Sequence, residues 1–164
     1  LKPAKTKRGC AKQTAFCLQK RLQAYQQLLF TSMRYGETRS LDGDSHHAVT
    51  PKTAILCVTG IAQPAPYVEH LKQMTDQIDH IAFPDHHNYS DTDIKRIIQE
   101  YEKINITDKC IFTTEKDAVR LTLCNIPEEI RRQIFYIPIE PEFLTPRDQL
   151  IKNIYDYVRQ DTRK

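Results

Sequence analysis

Three short segments of this chain combine residue types that can do chemistry. The first is Phe83-Pro84-Asp85-His86-His87-Asn88-Tyr89, a carboxylate followed by two imidazoles. One His could serve as general base or proton-relay partner, oriented by a carboxylate or orienting one. The His and Asp side chains could ligate a metal, although adjacent histidines on a turn usually point apart and no third or fourth ligand stands nearby. They could also be ordinary loop histidines held by hydrogen bonds. The second segment is Thr113-Thr114-Glu115-Lys116-Asp117-Ala118-Val119-Arg120. Hydroxyl, acid, base and acid in succession can contact a nucleotide base, a ribose or phosphates. The same residues are equally read as Asp117 capping a turn while Glu115 and Lys116 pair in solvent. The third is Thr59-Gly60-Ile61-Ala62-Gln63-Pro64, where one glycine allows a tight turn and a following helix start can attract an anion. Turn chemistry alone accounts for Gly and Pro there. His46-His47, beside Asp44 in a polar stretch, has no strand end to place it and is expected in a solvated loop.

The elements that must position these segments follow from hydrophobic patterning. Ala54-Ile55-Leu56-Cys57-Val58 is unbroken apolar, as a strand buried on both faces requires. Tyr67, Val68, Leu71, Met74 and Ile78 recur at helical spacing, and Ile78 to Phe83 reads as a second strand. Ser90 and Asp93 form a capping-box variant ahead of Ile94, Ile97, Ile98, Tyr101 and Ile104 on one helical face. Cys110 to Thr114 is a third strand, residues 117–133 carry short helical pieces, and Ile134 to Ile139 is a fourth strand. Thr145-Pro146-Arg147-Asp148 caps a last helix with the stripe Leu150, Ile151, Ile154, Tyr157 and Val158. Alternating strand and helix predicts an α/β fold, a mostly parallel sheet with helices on both faces. Ligands in such sheets bind at the carboxyl ends of strands, where the three segments fall. Ahead of this core lie a weak helical stripe (Ala11, Ala15, Leu18, Leu22), a short strand over 27–33 and a polar loop over 37–50. The expected division is therefore a basic tail and linker over 1–50 and an α/β lobe over 51–164.

Composition narrows the function classes. The only four glycines are Gly9, Gly36, Gly43 and Gly60, so neither a G-x-x-x-x-G-K-[ST] phosphate loop nor a G-x-G-x-x-G fingerprint can be written. Five cysteines without a C-x-x-C pair argue against a disulfide framework or a four-cysteine zinc site, and a reducing cytosol fits. Residues 1–39 carry nine Lys/Arg against one acid, Glu37, whereas 40–164 carry fifteen against twenty. A basic head on an acidic body suits an anionic surface or plain solvation. It lacks the interleaved aromatics and motif of a nucleic-acid binder, so no nucleic-acid partner is expected. No apolar run approaches the ~20 residues of a spanning helix. The chain opens on Leu1, which suggests a processed or truncated product.

Taken together, Val58-Thr59-Gly60-Ile61-Ala62-x-Pro64, Phe83-Pro84-Asp85-His86-His87-x-Tyr89 and Thr113-Thr114-Glu115-Lys116-Asp117-Ala118-Val119-Arg120-Leu121 resemble, in order and spacing, the C-terminal half of the tetraacyldisaccharide 4'-kinases. These are ATP-dependent lipid A kinases of Gram-negative bacteria. Tyr25 to Thr31 and Arg34-Tyr35-Gly36 resemble the stretch preceding that half, and the resemblance covers about residues 25–160. It implies a Rossmann-like C-terminal lobe without the P-loop lobe, whose phosphate loop, magnesium site and membrane-associating segment are not in this sequence. It implies that His86 faces the cleft and works with an aspartate of the N-terminal lobe, that Asp85 orients His86, and that His87 is a lesser candidate. Thr114, Glu115, Lys116 and Asp117 would lie on the nucleotide side. The implied cofactors are ATP and Mg2+ in the full-length enzyme, with none bound to this fragment and no metal site in it. The implied partners are the P-loop lobe of the same polypeptide, a lipid A disaccharide precursor and the anionic cytoplasmic face of the inner membrane. The fragment alone is expected to be inactive. Two other classes remain compatible with the residues: a non-catalytic nucleotide- or protein-binding module, and a metal-dependent hydrolase on Asp85, His86 and His87.

Overall fold

The computed structural model describes residues 29–144 and 147–161. The elements in chain order are β1 (Thr31–Tyr35), β2 (Arg39–Ser40), β3 (Ala54–Thr59), α1 (Ala65–Leu71), β4 (Ile78–Ala82), α2 (Asp91–Lys103), β5 (Lys109–Thr114), α3 (Glu115–Leu121), α4 (Glu128–Arg131), β6 (Ile134–Ile137), β7 (Ile139–Phe143) and α5 (Arg147–Asp161). They fall into two compact units, Tyr35–Ile139 and the remainder. The units meet at 34/35 and 139/140.

The larger unit is a five-stranded sheet in the order β2-β6-β5-β3-β4. The four strands β6, β5, β3 and β4 run parallel, and β2 pairs antiparallel with β6 through Arg39–Tyr136 and Ser40–Phe135. All six residues of β3 are buried because helices cover both faces. The two-residue period of a strand sorts them. Leu56 and Val58, with Ile111 and Ile134, pack under Ile94, Ile97 and Tyr101 of α2 and Ala118 and Leu121 of α3. Ile55 and Cys57, with Cys110 and Phe112, pack under Tyr67 and Leu71 of α1. Cys57 and Cys110 behave as small apolar side chains; burial pushes both thiols up to about 12.

This arrangement sets the place of any site. α1 carries the chain from β3 outward to the edge strand β4, and α2 carries it back over the opposite face to β5. The winding reverses between β3 and β5, and the carboxyl ends of those two strands open the crevice that doubly wound sheets use for ligands.

α2 starts at a reciprocal cap. Ser90 Oγ accepts the Asp93 N–H at 3.3 Å, while Asp93 Oδ2 accepts the Ser90 N–H at 2.8 Å and the Ser90 hydroxyl at 2.7 Å. These bonds, the Ser90 hydroxyl's first, hold the Asp93 carboxyl down at about 2, below the ordinary 3.8 of an aspartate. A carboxylate depressed on folding stabilises fully above its unfolded value and loses that contribution as pH falls through its folded one. Asp93→Ala is expected to cost about 1 kcal/mol at neutral pH, the usual worth of a cap. In urea unfolding the gap from wild type should close between pH 3.8 and about 2. A gap independent of pH refutes this.

Elsewhere local patterning misplaced some boundaries. The stripe running through Met74 and Ile78 overran the helix: α1 stops at Leu71, and Thr75 Oγ1 donates to the Thr53 carbonyl at 2.8 Å to close the turn into β4. The strand expected over Ile134 to Ile139 is split at Pro138, which has no N–H for a ladder. The loop over 37–50 contains β2; His46 in it is exposed, as expected, but His47 is half-buried. Its Nε2 lies 3.0 Å from Asp108 Oδ1, and its ring packs on Phe135 at 5.8 Å.

In the smaller unit, β1 and β7 form a two-stranded sheet. The Ser32 hydroxyl donates to Glu142 at 3.2 Å, Arg34 pairs with Glu140, and the Leu144 N–H donates to the Phe30 carbonyl at 2.8 Å. α5 exposes Ile154, Tyr155 and Tyr157. The expected N-terminal helical stripe and the Thr145-Pro146 cap lie outside the described residues. Among those described, no helix is long and apolar enough to cross a membrane.

Candidate functional site

The crevice between β3 and β5 is closed from within by Asp117. Its carboxylate is fully buried, in the first turn of α3. Oδ2 accepts the Gly60 N–H at 2.8 Å, just past β3, and the Thr114 hydroxyl at 2.7 Å. Oδ1 accepts Arg120 Nη1 at 3.0 Å. A protein carboxylate thus stands where an anionic ligand of a doubly wound sheet would meet the first strand-to-helix turn. Gly60 is required for packing: a Cβ there would lie 3.0 Å from Asp117 Oδ1, 3.1 Å from Tyr89 Oη and 3.3 Å from His87 Cβ. The Tyr89 ring completes the wall, and burial, then the Asp117 charge, hold its phenol far above the ordinary range.

The loop after β4 is strapped across this plug. The Phe83 N–H donates to the Thr59 carbonyl at 2.7 Å, and the His86 N–H to the Gly60 carbonyl at 3.2 Å. His86 adopts φ +57°, the only left-handed non-glycine backbone among the described residues. Bulky side chains rarely enter that region, and where they do the surroundings hold them there. Here the same N–H also reaches Asp85 Oδ1 at 3.0 Å. The turn throws the His86 imidazole outward, 73% exposed, with Nδ1 3.2 Å from Arg120 Nη2 and Nε2 3.6 Å from Asp85 Oδ2.

The two histidines therefore part company. His87 turns inward, stacks on Phe83 at 4.7 Å and sets its Nε2 3.0 Å from Asp93 Oδ2, so it ties the loop to the start of α2. The four residues expected on a nucleotide side also separate. Thr114 is the N-cap of α3, accepting the Asp117 N–H at 3.2 Å, and Asp117 is sealed in the interior. Glu115 accepts the Ile139 N–H at 3.4 Å, and Lys116 is exposed. The capping role considered for Asp117 belongs to Thr114. Arg120, a motif residue to which the sequence assigns no role, joins the buried carboxylate to the exposed imidazole. The three-residue step from Asp117 to Arg120 on a helix was the available signal. Among the described residues no three His, Cys, Asp or Glu side chains converge as metal ligands.

Fold and site together define a doubly wound α/β lobe that fills its own switch point with protein and presents one imidazole at the rim. Its sequence matches, over residues 3–159, the family model described as Tetraacyldisaccharide-1-P 4'-kinase. The chain belongs to that family. It is 41% identical over 155 residues to the tetraacyldisaccharide 4'-kinase of Bacteroides thetaiotaomicron, a match covering 87% of this chain and 41% of that protein. It is 38% identical over 149 residues to the Bacteroides fragilis enzyme of the same name, covering 85% and 39%. The chain thus spans about two fifths of the curated relatives it matches. Among solved structures, the "apo" form of LpxK from Aquifex aeolicus in complex with ATP aligns with a TM-score of 0.51 at 15% identity, over 82% of this chain and 38% of that one. At that identity the likeness concerns the fold.

Proposed function

We propose that this chain is the C-terminal lobe of a kinase that transfers the γ-phosphoryl group of ATP to the 4'-hydroxyl of a tetraacyldisaccharide 1-phosphate. The observation that carries the reading is His86: a family-motif imidazole held outward by a left-handed backbone, at the switch point, over the Asp117 plug at the end of β3. Phosphoryl transfer is mostly positioning and charge stabilisation. In that scheme His86 is the group this lobe brings to a shared cleft, meeting an aspartate of the upstream lobe, and Asp85 braces it.

The described residues show neither a free Gly60 N–H for a phosphate nor a cluster of metal ligands. The Gly60 N–H just past β3 is already given to Asp117, and among the described residues no three-ligand group is available for a cation. ATP and magnesium belong, in our reading, to the upstream lobe, and no step of the transfer is routed through them here. Lys2, Lys5, Lys7, Arg8, Lys12, Lys20 and Arg21 would add attraction to an anionic membrane, worth about 1 kcal/mol per basic residue close to the surface.

The test is direct. Full-length protein should phosphorylate tetraacyldisaccharide 1-phosphate in an ATP-dependent assay, and the 164-residue chain alone should not. Turnover by the isolated chain, or none by the full-length protein, removes the proposal.

A further inference from the structure

We propose that Arg120 is a positioning residue that fixes His86 in the tautomer carrying its proton on Nε2, making the outward-facing nitrogen a hydrogen-bond donor. The inference rests on the reading of His86 given above and goes beyond it by assigning how that side chain is held and which of its atoms is available. A guanidinium has five N–H donors and no acceptor. At 3.2 Å from Arg120 Nη2, His86 Nδ1 must therefore accept. A neutral imidazole has one accepting nitrogen, so the proton resides on Nε2, the nitrogen beside Asp85 Oδ2 at 3.6 Å.

Arg120 can do this because it is itself fixed. Its other fork nitrogen, Nη1, sits 3.0 Å from Asp117 Oδ1, and Asp117 is bolted to the Gly60 N–H and the Thr114 hydroxyl. The chain Gly60–Asp117–Arg120–His86 runs from the buried end of β3 to the protein surface, and its last link needs a planar fork that reaches two groups at once. Lysine, a point charge on a flexible stem, cannot supply that geometry. The consequence for the site is specific. With Nδ1 occupied, His86 does not take a proton in this arrangement; it donates from Nε2 to an oxygen acceptor brought to the rim.

Two measurements test this. In the 164-residue chain, 15N NMR of the imidazole should show Nδ1 as an unprotonated acceptor in wild type. Arg120→Lys keeps a cation beside Asp117, and should add a population protonated on Nδ1. In the full-length enzyme, Arg120→Lys should lower kcat by roughly 10- to 100-fold, the usual loss when an orienting partner is removed, with little change in the KM for ATP. The double variant with His86→Ala should be no slower than His86→Ala alone, because Arg120 acts through the imidazole. A wild-type proton on Nδ1, or losses that multiply in the double variant, overturns the proposal. Full turnover in His86→Ala removes the catalytic reading of His86, while the tautomer measurement still decides whether Arg120 sets the ring.

Discussion

Replacing His86 with alanine in the full-length protein should lower kcat by about 10²- to 10³-fold, the range for losing one preorganised hydrogen-bond donor. The KM for ATP should change little, because a loss confined to the transition state leaves ground-state binding intact. The geometry supports that separation. His86 holds nothing in the core: its ring is mostly exposed, and the loop is kept in place by backbone bonds to the Thr59 and Gly60 carbonyls. Stability should even discriminate among substitutions. The left-handed backbone at φ +57° costs a residue with a Cβ about 1 kcal/mol, so His86→Gly should unfold no earlier than His86→Ala. Both variants should be equally inactive. Steady-state kinetics with thermal unfolding on the same preparations checks this, and wild-type kcat in either variant takes His86 out of the chemistry.

What the sequence disclosed and what it hid divide along the range of the interactions. The unbroken run at Ala54–Val58 and the Ser90–Asp93 cap were legible because burial on both faces and helix capping leave marks within a few residues. The pairing of β2 with β6 was not, since it joins Arg39 to Tyr136 across most of the chain. The same distinction runs through the site. Strand-end logic found the loops at 83–89 and 113–120, and the family motif singled out His86. The bond from the Gly60 N–H to Asp117 spans 57 positions, and only the parallel register of β3 on β5, with Val58 opposite Thr113, brings those ends together. Asp117 therefore looked like a surface group free for a nucleotide or a cap, when it is an internal anion. Arg120 carried no visible role for the same reason: both its partners are fixed by that register.

Because Asp117 joins β3, α3 and the His86 loop, its loss should be the largest single stability defect in the lobe. Asp117→Ala leaves the Gly60 N–H buried without an acceptor and removes the counter-charge of a guanidinium that is only 24% exposed. Breaking one side of a buried charge pair costs about 3–5 kcal/mol. For a domain of this size that lowers Tm by roughly 15–30 °C. Asp117→Asn keeps the shape and an accepting oxygen but gives up the charge, and should cost about 1.5–3 kcal/mol. A Gly60→Ala carbon would sit 3.0 Å from the same carboxylate and should cost about 1–3 kcal/mol through overpacking. The decisive comparison is the double variant. If the carboxylate is what Gly60 makes room for, Gly60→Ala should cost less in the Asp117→Ala background, where that oxygen is gone, than in wild type. Chemical denaturation of the four proteins measures the coupling. Strict additivity, or an Asn variant less stable than the Ala variant, would mean that the plug is not what holds the two strand ends together.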